Sequence, residues 1–107
     1  RWLDRWGGLA SDGQGNWGIS KDKTSKKNAI STALNECKLR GGRTCEIRLT
    51  YKNQCAAVVA DGSATSTASD KTEREAINRA TSLCEEDGGP SKCWTYYSGC
   101  SFPVKDS

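Results

Sequence analysis

The sequence predicts an α+β fold in which a ββαβ-like unit occurs twice, at about residues 5–54 and 55–100. Antiparallel sheet, two helices packed on it and three disulfides complete the prediction. Three observations carry it. The six cysteines fall into two triplets, Cys37, Cys45, Cys55 and Cys84, Cys93, Cys100. A segment of helical periodicity precedes each triplet, and the offset from Cys37 to Cys84 also carries Ala29 onto Ala76, Ile30 onto Ile77 and Ala33 onto Ala80. Gly41-Gly42 falls on Gly88-Gly89 in the same way. Packing, cross-linking and backbone φ dictate these residue types, so their agreement marks a shared backbone plan and not a reaction.

The elements follow in order. Arg5 to Ala10 and Trp17 to Ser20 read as short strands joined by the turn residues Asp12-Gly13-Gln14-Gly15-Asn16. Trp6 and Trp17 are expected to face each other across this hairpin as a structural pair, each followed by a glycine that admits another segment. From Thr24 to about Lys38, Ala29, Ile30, Ala33, Leu34 and Cys37 form a one-sided apolar stripe that ends towards Gly41. Cys45, Ile47, Leu49 and Tyr51 then alternate with Glu46, Arg48 and Thr50, the period of a half-buried strand. After a turn at Asn53-Gln54, the apolar run Cys55 to Ala60 suits a central strand, and Asp61-Gly62 turns it into Ala64 to Ala68. Thr72-Glu73-Arg74-Glu75 is a capping box for the second helix, whose inner stripe is Ala76, Ile77, Ala80 and Cys84. Gly88-Gly89-Pro90 stops that helix, Cys93 to Tyr97 is the last strand, and Ser101 to Ser107 shows no periodicity.

A chain of 107 residues with 35% hydrophobic content makes a single domain, 1–107, with a modest core. Covalent staples suit it. The even cysteine count, the missing C-x-x-C pair and the absence of histidine favour disulfides over a metal site, and no metal or cofactor is assigned. The cysteine count alone leaves many pairings open. Repeat symmetry favours Cys37 with Cys45 and Cys84 with Cys93, leaving Cys55 for Cys100. Disulfides imply an oxidising compartment, periplasmic or secreted. No apolar run reaches the roughly 20 residues of a membrane span. Arg1-Trp2-Leu3-Asp4-Arg5 is not the centre of a signal peptide, so a processed, soluble form without membrane insertion is expected. The 16 basic and 13 acidic residues are mixed along the chain, which argues against nucleic acid as a partner. Lys21, Lys23, Lys26 and Lys27 are the local exception. They could meet an anionic partner, although at a helix start they oppose the macrodipole.

Trp-Gly at 6–7 and 17–18, an Ala-Ile helix ending in Cys37, then Cys45, Asn53-x-Cys55-Ala-Ala, a second such helix and Cys84, Cys93 and Cys100 together resemble domain-of-unknown-function family 4189. That family consists of exported bacterial domains, and the resemblance spans nearly the whole chain. It brings no chemistry with it. Some members look like immunity proteins encoded beside antibacterial toxins, and the resemblance implies that role as one expectation here.

Without histidine, Ser-His-Asp and Cys-His catalysis are excluded, and disulfides would consume the thiols. Glu85, Glu86 and Asp87 are the only dense carboxylates, and consecutive acids at a helix end read as solvated rather than as an acid–base pair or a calcium loop. No catalytic residue is assigned. The aromatic residues of the last strand are the better lead. Alternation places Trp94 and Tyr96 on one face, where the repeat puts Glu46 and Arg48 in the first unit. If both helices cover one side of the sheet, Trp94 and Tyr96 lie on the uncovered side, where large amphipathic rings anchor protein or sugar ligands. The competing expectation packs them under Trp2-Leu3 or Phe102 in a second small core. The reading is a non-catalytic periplasmic binding protein that neutralises an effector toxin through Trp94, Tyr96, Arg48 and Glu46. The alternatives are a cell-wall or glycan-binding module, or a carboxylate-based wall hydrolase.

Overall fold

The computed structural model describes residues 1–88 and 92–106, with the side chains of 87 and 88 outside that description. The expected stop at Gly88-Gly89-Pro90 therefore lies largely outside the described residues. Two compact units emerge, one of Arg1–Asn53 with Ser101–Ser107, the other of Gln54–Cys100.

In the first unit, β2 (Trp6–Ser11) and β3 (Trp17–Lys23) form the expected hairpin, α1 (Lys26–Leu39) follows, and β4 (Glu46–Lys52) pairs on the other side of β2. The sheet order is β3-β2-β4. Asp12 closes the hairpin loop by accepting from the backbone of Gln14 at 2.8 Å and Asn16 at 3.1 Å, and from Asn16 Nδ2 at 2.8 Å. Ser25 caps α1, its hydroxyl accepting from Asn28 N. At the other end Gly41 takes φ +106°, Gly41 N bonds Lys38 O and Gly42 N bonds Cys37 O, the two bonds of a Schellman cap. Two strands absent from the sequence expectation, β1 (Trp2–Leu3) and β8 (Val104–Lys105), pair antiparallel. Two residues per strand leave too short a pattern for periodicity to register.

Both faces of this sheet are buried. Ala10 packs with Ala33 and Cys37 of α1, while Leu9 and Tyr51 point the other way and are also enclosed. The glycines of the two Trp-Gly pairs have the anticipated use. A Cβ at Gly18 would overlap the Ala33 carbonyl, and one at Gly7 would overlap the Tyr51 ring. The tryptophans themselves do not pair. Trp17 stands opposite Ser11 and Trp6 opposite Lys23, at opposite ends of the hairpin, because the register places five-residue-loop neighbours rather than the two rings together.

The second unit repeats this plan. β5 (Gln54–Ala60), β6 (Thr65–Asp70), α2 (Glu73–Gly88) and β7 (Trp94–Ser101) give sheet order β6-β5-β7, although Ser101 itself belongs to the first unit. Asp61 Oδ1 accepts from Ser63 N and Ala64 N, both at 2.9 Å, and Gly62 takes φ +96° at the turn. The Thr72 hydroxyl accepts from Glu75 N at 3.1 Å, as the capping-box pattern requires. Cys55, Ala57 and Val59 pack with Ala68, Ala76, Ala80 and Cys84, while Ala56 and Val58 on the other face of β5 are equally buried. An unbroken apolar run is what a strand buried on both faces needs.

The three disulfides are Cys37–Cys45, Cys84–Cys93 and Cys55–Cys100, as repeat symmetry predicts, and no cysteine is free. The antiparallel strands thus divide into two three-stranded sheets, each with its own helix, plus the small β1–β8 pair. Among the described residues, no helix is long and apolar enough to cross a membrane.

Candidate binding site

In the second unit α2 packs over β6 and β5, and β7 lies beyond β5. Trp94 and Tyr96 stand two residues apart at the start of this third strand, 50% and 51% exposed. Alternation puts Ser98 on the same face, and its hydroxyl donates to Glu73 in the first turn of α2. The aromatic row therefore lies on the α2 side of the sheet, contrary to the expectation of a helix-free face, and stays open because the helix covers the other two strands. Trp94 flanks the β5–β6 turn, where a Cβ at Gly62 would stand 3.8 Å from Cη2 of the indole. Trp2 and Phe102 are themselves 64% and 51% exposed, so none of these four rings centres a second core.

Glu46 and Arg48 belong to the first unit. Arg48 donates to Ser11 O at 3.2 Å and pairs with Glu46 at 3.5 Å, which ties its guanidinium across the β2–β4 ladder. The strict alternation expected here breaks at the same residue. Leu9 pairs with Leu49 but its neighbour Ala10 pairs with Ile47, a bulge at Arg48 that sends Ile47 and Leu49 to opposite faces. Arg48 thus braces a strand irregularity, and Glu46 neutralises it.

Glu85 and Glu86 are exposed at the end of α2, and the Asp87 side chain lies outside the described residues. Among the described residues no group of His, Cys, Asp and Glu is placed to hold a metal ion. The Asn16 amide, then the Gln14 backbone, hold the Asp12 carboxyl below its ordinary range. The backbone N–H groups of Ser63 and Ala64 do the same for Asp61. Burial pushes the Tyr51 phenol up, opposed by the neighbouring Ser101 hydroxyl, although among the described residues no hydrogen bond of good geometry reaches Tyr51 Oη.

Charge is where reading along the chain failed. The first unit carries twelve basic and six acidic residues, the second four and seven, so net charges of +6 and −3 replace the expected even mixture. Summing charge within each repeat, rather than along the whole chain, would have revealed it.

A disulfide-stapled α+β protein of two ββαβ units, with exposed aromatics on one strand, defines a fold class and not a reaction class. The profile of the Domain of unknown function DUF4189 matches residues 6–100, and the chain belongs to that family. The NMR structure of Rv1813c from Mycobacterium tuberculosis superposes with a TM-score of 0.69 at 19% identity, covering 91% of this chain and 75% of that one. At that identity the likeness concerns the fold alone. No curated protein matches the chain.

Proposed function

We propose that the protein is a non-catalytic binding protein of the periplasm or extracellular space, an immunity protein that docks on an antibacterial effector through Trp94 and Tyr96. The observation that carries this reading is the pair of half-exposed rings on β7, within a unit whose ends Cys55–Cys100 ties together. Large rings on a rigid strand lose little conformational entropy on docking, and an inhibitor needs no reactive group of its own. The Asp12 and Asp61 carboxyls are held below their ordinary range, the direction of a hairpin cap and not of a general acid. The disulfides favour an oxidising compartment.

Co-expression of the exported protein with the toxin of its own gene neighbourhood tests this. Growth should be rescued, and rescue should fail for Trp94→Ala with Tyr96→Ala while the melting temperature holds. Full rescue by that variant, or no rescue by the parent, rejects the assignment. Sedimentation of the parent with insoluble peptidoglycan, lost in the same variant, would favour a glycan-binding module instead.

A further inference from the structure

One end of the first unit gathers cations and exposed apolar side chains that the aromatic row on β7 does not use. Lys21 is exposed and Lys23 half-buried at the end of β3, and Lys26 and Lys27 are exposed in the first turn of α1. A bulge in β3, where Trp6 faces Lys23 but Gly8 faces Ser20, sets Asp22 at φ +56° between the two strand lysines. Asp22 N donates to Ser101 Oγ at 3.0 Å, which brings the next residue, Phe102, to this corner. Asp4, which pairs with Lys52 at 3.8 Å, leads in from Trp2, and β1 holds Trp2 opposite Lys105 and Leu3 opposite Val104. Trp2, Phe102 and Val104 are 64%, 51% and 41% exposed.

Two features set these charges apart from those that hold the fold together. Among the described residues, Lys21, Lys23, Lys26, Lys27 and Lys105 enter no ion pair. Lys26 and Lys27 also stand at the positive end of the α1 macrodipole with no acid in that turn, whereas the equivalent turn of α2 carries Glu73 and Glu75. Guarding an edge strand against pairing would account for Lys21 and Lys23, but not for the helix lysines or for the apolar rings beside them.

We propose that this corner is a peripheral docking surface for an anionic phospholipid membrane, with the lysines meeting headgroup phosphates and Trp2, Phe102 and Val104 entering the interface. Lysine suits this occupant, because a hydrated point charge on a flexible stem follows a fluid anionic surface, whereas protein interfaces favour arginine and are poor in lysine. Tryptophan and phenylalanine supply the amphipathic and apolar contacts of an interfacial anchor.

Flotation of the oxidised protein with vesicles of phosphatidylcholine alone, or mixed with phosphatidylglycerol, tests the proposal. Binding should require phosphatidylglycerol, fall with added salt, and shift tryptophan emission to the blue. Each lysine removed should weaken it about fivefold. Lys26→Glu with Lys27→Glu should lose affinity while its melting temperature rises, a combination that misfolding cannot produce. Trp2→Ala with Phe102→Ala should weaken binding and abolish the part of it that survives high salt. Lys38→Glu, Arg40→Glu and Arg43→Glu together remove more charge about 20 Å away at the other end of α1, and should matter less. The proposal is overturned by equal binding to both vesicles, by an equal or larger loss in the Lys38, Arg40 and Arg43 variant, or by no effect of the Trp2 and Phe102 changes. Retention of an acidic protein without any vesicle binding would equally overturn it.

Discussion

The two units share element order, sheet order and a disulfide from the helix end to the following strand, yet they are held together differently. In the first, α1 approaches the sheet over glycine: Gly18 lies against the Ala33 carbonyl, and Ser20 Oγ donates to Ala29 O at 2.7 Å. In the second, alanines and a valine fill the same layer, and Cys55–Cys100 joins the start of β5 to the end of β7. The comparison teaches that one backbone plan tolerates two solutions of the helix–sheet gap. One relies on close backbone approach, the other on small apolar side chains.

Removing staples should break the comparison most sharply. Replacing Cys55 and Cys100 by alanine opens a link of sequence separation 45 and should cost about 4 kcal/mol. Opening Cys37–Cys45, of separation 8, should cost about 2.5 kcal/mol, and urea unfolding of the two variants compares them. A smaller ratio would mean that unit-spanning closure matters less than chain entropy requires. Next in size is Gly18→Ala, expected to lose about 1–3 kcal/mol by forcing α1 off the sheet, visible as a lower melting temperature. The matching test in the second unit is Ala68→Gly, which leaves space instead of a clash and should cost about 1 kcal/mol.

The helix caps sharpen the comparison at lower cost. Ser25→Ala and Thr72→Ala should each lose about 1 kcal/mol, since each removes one acceptor from a first-turn N–H. The smallest effect is pH dependence at the two hairpins. Asp12 and Asp61 have folded-state values below the ordinary 3.8, so their contribution is present above that value and is lost as pH falls through the lower folded values. Asp12→Asn and Asp61→Asn should each flatten the acid limb of the urea midpoint, by similar amounts if the loops are energetically equivalent.

Much of the fold was legible because local chemistry and the repeat pointed the same way. Gly41 stops α1, Thr72 caps α2, Asp61-Gly62 turns β5 into β6, and the symmetric cysteine pairing holds. The positions of Trp94 and Tyr96 on the last strand were legible too. Their side of the sheet was not, since alternation separates two faces without saying which one a helix will cover. The break in alternation at Arg48 was not legible for a related reason. A bulge adds one residue to a strand and inverts the alternation beyond it, and nothing in the apolar pattern from Cys45 to Tyr51 marks the extra residue.

Composition and spacing by themselves determined the helices, the hairpin turns, the cross-links and the doubled plan, because each follows from interactions within a few residues or from matching positions of the repeat. Only the tertiary structure decided that the strands divide into two sheets, that β1 meets β8, and that Asp22 of β3 bonds Ser101 beside Phe102. Those outcomes depend on pairings between residues as far apart as Trp2 and Lys105, whose register is chosen by the competition among whole strands for partners and not by any local preference.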